Sequence, residues 1–267
     1  MKKLISLFLV LCLACTAMMI SCAKDPATND DPPAEKPLTP AEQVSEAIKK
    51  IDALSDIDFD MNMDIKMNVS GTEMEIPVKM NYKIKGVDAD SPVIYNKTEM
   101  TMMGETMVTE TYVEGEWAYM VMDDIKYKMK AEDADMDIST DDMLKDLPEE
   151  IMKTAETVEN ADGSITMKVS VPADKFGEIF DEMIEGMNSS MGGSEVDEIK
   201  LNNASVETTI KDGYVISYII DYDMEMSMMG ETVTAQATAS ITFNNVGKEV
   251  TITFPEGYKD FEEVPMY

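Results

Sequence analysis

The chain has 267 residues, with 53 Asp or Glu against 22 basic residues, no His, and a formal charge of −31. All 22 basic residues are Lys, which excludes imidazole-dependent nucleophiles, zinc or haem sites that need imidazole, and bidentate Arg clamps for phosphate. A polyanion of this size lacks the basic patch that nucleic acid requires, so no nucleic-acid partner is expected, and its charge favours a soluble monomer.

Met1-Lys2-Lys3 precede an uncharged apolar run, residues 4–20, which fits the core of a secretory signal peptide. Met19-Ile20-Ser21-Cys22 resembles a lipobox, with Met19 standing where Leu is usual. That assigns residues 1–21 to the signal peptide and Cys22 to lipidation; Cys15 is a weaker second candidate. Cys12 and Cys15 would leave with the signal peptide and Cys22 would carry lipid, so no disulfide is expected in the domain. Residues 23–38 are rich in Pro, Asp and Ala and cannot bury enough apolar surface to fold. Cys22 and this tether (22–38) would hold the domain (39–267) at the extracytoplasmic face of the cell membrane. The acyl chains would supply the membrane affinity.

The domain opens on a helix. Thr39-Pro40-Ala41-Glu42 has capping-box spacing with Pro in the first turn, and Val44, Ala47, Ile48, Ile51 and Leu54 recur at helical intervals over 40–54. Alternation with a period of two follows. Phe59, Met61, Met63, Ile65, Met67 and Val69 face one way, and Asp and Asn residues with Lys66 face the other. A turn at 70–72 leads to a second strand with Met74, Ile76, Val78, Met80, Tyr82 and Ile84 on one face, making an antiparallel hairpin. Further strands are expected near 93–103, 106–114, 116–123 and 125–130. Residues 139–155 read as a helix kinked at Pro148, 163–171 as a strand, and a third helix starts near Pro172 with Phe176, Phe180 and Met183 on its apolar face. Strands near 200–211, 213–228, 231–244 and 248–254 complete the domain. EMTMMGET at 99–106 and EMSMMGET at 225–232 differ at one position, and each spans a strand, a turn and the next strand.

About 10–11 antiparallel strands with three helices indicate an α+β fold: a large curved antiparallel sheet, a half-barrel, with the helices packed on its concave face. The outer face, carrying Asp, Glu, Asn and Lys, is expected to meet water. The lipobox, the Pro/Asp tether, the capped helix, the long Met-rich hairpins and the helix after VPADKF at 171–176 resemble a family of Gram-positive lipoproteins of unknown function. That family is similar in fold to the LolA/LolB and LppX/LprG lipid carriers. The resemblance implies a cavity for acyl chains and carries over no individual site residue.

The residues themselves offer a Met-lined concave surface for a lipid or other hydrophobic ligand, because Met is unbranched and adapts to varied apolar shapes. Its candidate lining is Met61, Met63, Met67, Met74, Met80 and Tyr82 from the first hairpin, and Tyr218, Tyr222, Met224 and Met226 from the strand at 213–228. Phe176, Phe180 and Met183 would close it from the third helix. The same pattern suits a structural or protein-interaction surface lipoprotein without a small ligand. It also suits, less well, Cu(I) binding by Met groups such as 100–103 and 224–226. No spacing selects a catalytic pair, a calcium loop or a cofactor site, so no enzyme is expected, and Trp117 is expected at the edge of the core.

Overall fold

The computed structural model describes residues 38–264 except 70, 88, 90, 103, 124, 132–148, 173–174, 176–195 and 229–230. Helix α1 (Pro40–Asp52) starts as expected: Thr39 caps it, accepting from Glu42 N–H, while the Glu42 carboxylate accepts from Thr39 N–H at 2.7 Å. Its apolar stripe, Val44, Ala47, Ile48 and Ile51, is buried.

A single open 12-stranded sheet follows. One meander contains β1 (Asp56–Val69), β2 (Thr72–Lys85), β3 (Val93–Met102), β4 (Glu105–Glu114), β5 (Trp117–Met122) and β6 (Ile125–Lys130). The other contains β7 (Glu156–Glu159), β8 (Ile165–Val171), β9 (Val196–Lys211), β10 (Tyr214–Met228) and β11 (Glu231–Asn244). Strands within each meander pair antiparallel with their sequence neighbours, and β1 joins the two by pairing with β11 from Asp58↔Asn244 to Val69↔Val233. The Asp60 carboxylate ties this seam on the outer side, accepting from Asn81 Nδ2 and Asn244 Nδ2, each at 2.8 Å.

Tight turns hold the alternation in phase. Between β9 and β10, Asp212 and Gly213 have φ of 54° and 78°, the paired positive values of a type I′ hairpin, so Asp-Gly is required there. By the strand directions, the β1–β2, β3–β4, β5–β6 and β10–β11 turns all leave the sheet at one end, here called the tip end.

The inner face carries the main core, in which Phe59, Ile57, Met63, Ile65, Met167, Met224, Val78 and Val215 are the largest fully buried side chains besides Ile51 of α1. α1 lies across β9 and β10, and helix α2 (Glu149–Met152) packs on β8 and α1. Beneath them is a cavity of only about 10 Å³, bounded by Val44, Met152, Met167 and Val206 among others, at the lower limit for one water.

Four expectations need correction. Residues 248–254 form no strand. β11 is already paired on both sides, so the chain after it has no edge beside β11 to join and leaves the plane of the sheet. Its alternation, Val250, Ile252, Phe254, seats it instead on the outer face of β3–β6, ending in a 3-10 turn (Tyr258–Asp260) and β12 (Glu262–Glu263), which pairs parallel with β6. The outer face is therefore not uniformly wet. The strand count rises to 12 with β7 and β12, neither of which was expected. Among the described residues there are two α-helices where three were expected. Of the helix expected from Pro172, Lys175 is helical and its N–H donates to Pro172 O at 3.0 Å, while 173–174 and 176–195 lie outside the described residues, as does 139–148 of the helix expected over 139–155.

The outer cluster joins Tyr95, Tyr112, Tyr119 and Trp117 to Ile252, Phe254, Tyr258 and Phe261. Phe254 is central, 5.4 Å from Tyr112 and 4.4 Å from Tyr258 between ring centroids. Trp117 sits at the margin of this cluster, its ring covered by Lys130 Nζ at 4.2 Å. The segment is pinned at its start by Asp56, whose carboxylate accepts from Val250 N–H at 2.9 Å and Gly86 N–H at 3.1 Å. It is pinned near its end by Tyr258 Oη–H donating to Glu114 at 2.8 Å.

Burial holds the phenols of Tyr95, Tyr112, Tyr119 and Tyr258 above their ordinary value of 10.0, and bonds to Glu110 and Glu114 add to the effect at Tyr112 and Tyr258. The folded state thus keeps protons that the unfolded chain releases. The associated stability is complete below about pH 10 and is lost as pH rises above it. Thermal midpoints are expected to fall steeply between about pH 10 and pH 12, and Tyr112→Phe should blunt that fall. An unchanged midpoint across this window would refute the linkage.

Candidate ligand-binding face

The inner face of the first meander can be followed row by row across the strands. One row runs Phe59, Tyr82, Asn96, Thr111, Met120, Tyr127; the next, closer to the tip end, runs Met61, Met80, Thr98, Thr109, Met122, Ile125. Along the second row exposure climbs from 4% at Met61 to 37% at Met122 and 58% at Ile125. Met107 of β4, one inner position further toward the tips and paired with Met100, is exposed as well. Large apolar side chains on three adjacent strands are thus left uncovered at one corner of a face that is otherwise buried or partly buried.

Neither row contains a charged side chain. Most charges of these strands project outward, where Lys97 pairs with Glu99 at 2.7 Å and Lys66 with Glu75 at 3.5 Å; Glu105, exposed at the tip end of β4 and paired with Met102, shares the inner parity of Met107. The polar groups of these two rows on β3 and β4 are neutral: Asn96, Thr98, Thr109 and Thr111, the first and last of them buried. Among the described residues no cluster of acidic groups suits a metal ion. Asp56 and Asp60 are occupied with the hydrogen bonds described above, and Asp58 accepts from Asn244 Nδ2.

The residues expected to line a cavity are placed as follows. Met61, Met63, Met67, Tyr218, Tyr222 and Met224 are buried in the main core, and Met74, Met80 and Tyr82 pack against it partly exposed. These nine therefore share one face and one cluster, as their alternation implied. Met226 lies on β10 opposite Val233, with its side chain outside the described set. Phe176, Phe180, Met183 and Cys22 lie outside the described residues. The two octapeptide echoes occupy equivalent places, each straddling a turn at the tip end, with Met100↔Met107 in one and Met226↔Val233 in the other.

Sequence reasoning missed Met107, Met120, Met122 and Ile125, and the polar group Asn96, Thr98, Thr109 and Thr111. β3 and β4 carry polar and apolar residues on both sides, because their outer face also packs against the C-terminal segment. Period-two alternation is blurred there. The usable signal was the MTMM run at 100–103, which marks the tip-end corner.

A second depression, an open groove of about 400 Å³, lies along β8, β9 and β10 between Ser170, Asn203, Ser205 and Asp223. It is half polar and crosses the register shift at Asp223/Met224, where Asn203 Nδ2 donates to Asp223 at 3.0 Å. Its lining lacks the contiguous apolar surface of the tip-end corner.

The model of a family of unknown function, DUF6612, matches residues 40–262. The chain belongs to that family. No curated protein matches the sequence. Among solved structures, LprF from Mycobacterium bovis is similar at 13% identity and a TM-score of 0.43, over 81% of this chain and 97% of that one. A putative outer membrane lipoprotein-sorting protein domain from Vibrio parahaemolyticus is similar at 11% identity and a TM-score of 0.26, over 78% of this chain and 93% of that one. Among the described residues no helix is long and apolar enough to cross a membrane.

Proposed function

We propose that this protein is a non-catalytic, lipid-anchored envelope protein that binds the acyl part of a lipid along the inner face of β3–β6. The observation that carries the reading is the rise in exposure toward Met122 and Ile125, which leaves an apolar corner open beside the buried core. Exposed apolar surface that continues into a buried face is favourable to cover, at about 25 cal/mol per Å². The adaptable Met side chains suit a chain-like ligand. The absence of His and Arg from the whole sequence supports a binding role over catalysis. The lipobox-like Met19–Cys22 and the Pro/Asp tether support attachment at the membrane surface, where such a ligand is found.

The test is a titration of the purified protein with a fluorescent acyl glyceride. Saturable binding is expected. The double change Met122→Glu with Ile125→Glu should weaken it about tenfold or more by removing apolar contact. The far-ultraviolet circular dichroism spectrum should stay unchanged, with only a small fall in the melting midpoint, because both side chains are exposed while the two new carboxylates oppose each other across β5 and β6. Binding that never saturates, or that ignores the double change, would favour an interaction module with no small ligand.

A further inference from the structure

The inner face contains one polar group that the fold itself does not use. Asn96 is only 6% exposed, and its Oδ1 accepts from Thr98 Oγ1 at 3.0 Å. Its Nδ2 is buried with no hydrogen-bond partner. Buried amide donors are almost always satisfied, and leaving one open costs more than replacing it with an apolar group. The orphan is also placed with respect to the open corner. Asn96 stands between Tyr82 and Thr111 in its row, and the next row toward the tips holds Thr98 and Thr109 and ends at exposed Met122 and Ile125. A ligand entering over the Met residues would meet this donor at the inner end of its path.

Resting on the reading of this face as an acyl site, we propose that Asn96 is its specificity residue, donating from Nδ2 to the neutral ester carbonyl of an esterified acyl chain. The class of ligand follows from charge. The inner rows of β1–β6 hold no Lys, and the chain has no Arg. A fatty-acid carboxylate or a phosphate buried beside Asn96 would have no counter-ion, which is a heavy penalty. An ester carbonyl asks for one donor and brings no charge. The site therefore selects a neutral glyceride-type lipid over a free fatty acid.

The experiment compares three probes on the full-length protein: monoolein, its ether analogue lacking the carbonyl, and oleate. Monoolein is expected to bind about tenfold tighter than the ether, the effect of one buried hydrogen bond, and tighter than oleate. Asn96→Leu should bring monoolein down to the affinity of the ether and leave the ether unchanged. Its ligand-free thermal midpoint should not fall, because an unsatisfied donor has been removed. Equal binding of ester and ether to the unmodified protein overturns the assignment while leaving the acyl site standing. So does tightest binding of oleate, or an equal loss for both neutral probes in Asn96→Leu. Failure of all three probes to bind overturns the acyl reading itself. The comparison of ester with ether needs no variant, so it decides even if Asn96→Leu does not fold.

Discussion

Replacing Phe59 by Ala is expected to destabilise the domain by about 3–5 kcal/mol, the range for removing a fully buried aromatic ring. Phe59 is 0% exposed and lies on β1, whose neighbours in the sheet are β2 and β11. Its ring stacks on Tyr82 with centroids 5.0 Å apart and planes 13° from parallel, and approaches Phe243 at 5.9 Å. Truncation would leave a void facing three strands, none of which can move in without breaking its ladder on the other side. Phe59→Leu should cost less, because much of the volume is kept. Urea unfolding followed by circular dichroism reports both. A loss below about 1 kcal/mol for the Ala variant would place Phe59 outside a tightly packed core.

Deleting residues 246–267 should have the second large effect. Tyr95, Tyr112 and Tyr119 would lose the cover given by Ile252, Phe254, Tyr258 and Phe261, and β6 would lose its partner β12. The Asp56 carboxylate would lose the Val250 N–H and keep only Gly86 N–H of the two described. An open edge next to an exposed aromatic patch invites pairing with another chain. The truncated protein is expected to unfold about 6–12 °C lower, corresponding to about 3 kcal/mol, and to self-associate in analytical ultracentrifugation. The full chain should sediment as a monomer in the same buffer. A truncated chain that stays monomeric and equally stable would show that the segment merely rests on the sheet.

Legibility in the sequence tracked how cleanly one face was wet. β1 could be placed within two residues because every second position from Phe59 to Met67 is buried and the positions between are not. α1 was announced by Thr39, Pro40 and Glu42, whose chemistry is local. The C-terminal segment was misread because Val250, Ile252 and Phe254 alternate just as a strand would. Only the sheet order, with β11 flanked on both sides, shows that no edge beside it was left for them. The tip-end corner was hidden for a related reason. Tyr95, Tyr112 and Tyr119 face outward into a second cluster, so β3–β5 lack the contrast that made β1 plain. Asn96 gave no signal at all, since an Asn in a strand says nothing about its burial or its partners until the register is known.

The seam between β1 and β11 has a kinetic consequence. Every other ladder except that of β6 with β12 joins strands adjacent in sequence, most of them across a short loop, with 172–195 the long connection between β8 and β9. The seam pairs residues as distant as Asp58 and Asn244, so the chain must bring its two ends together to make it. Loop closure over that span carries the largest entropy cost among the ladders of the two meanders. The halves can therefore zip independently and meet late, with Asp60, reaching Asn81 on one side and Asn244 on the other, as the stitch that records their docking.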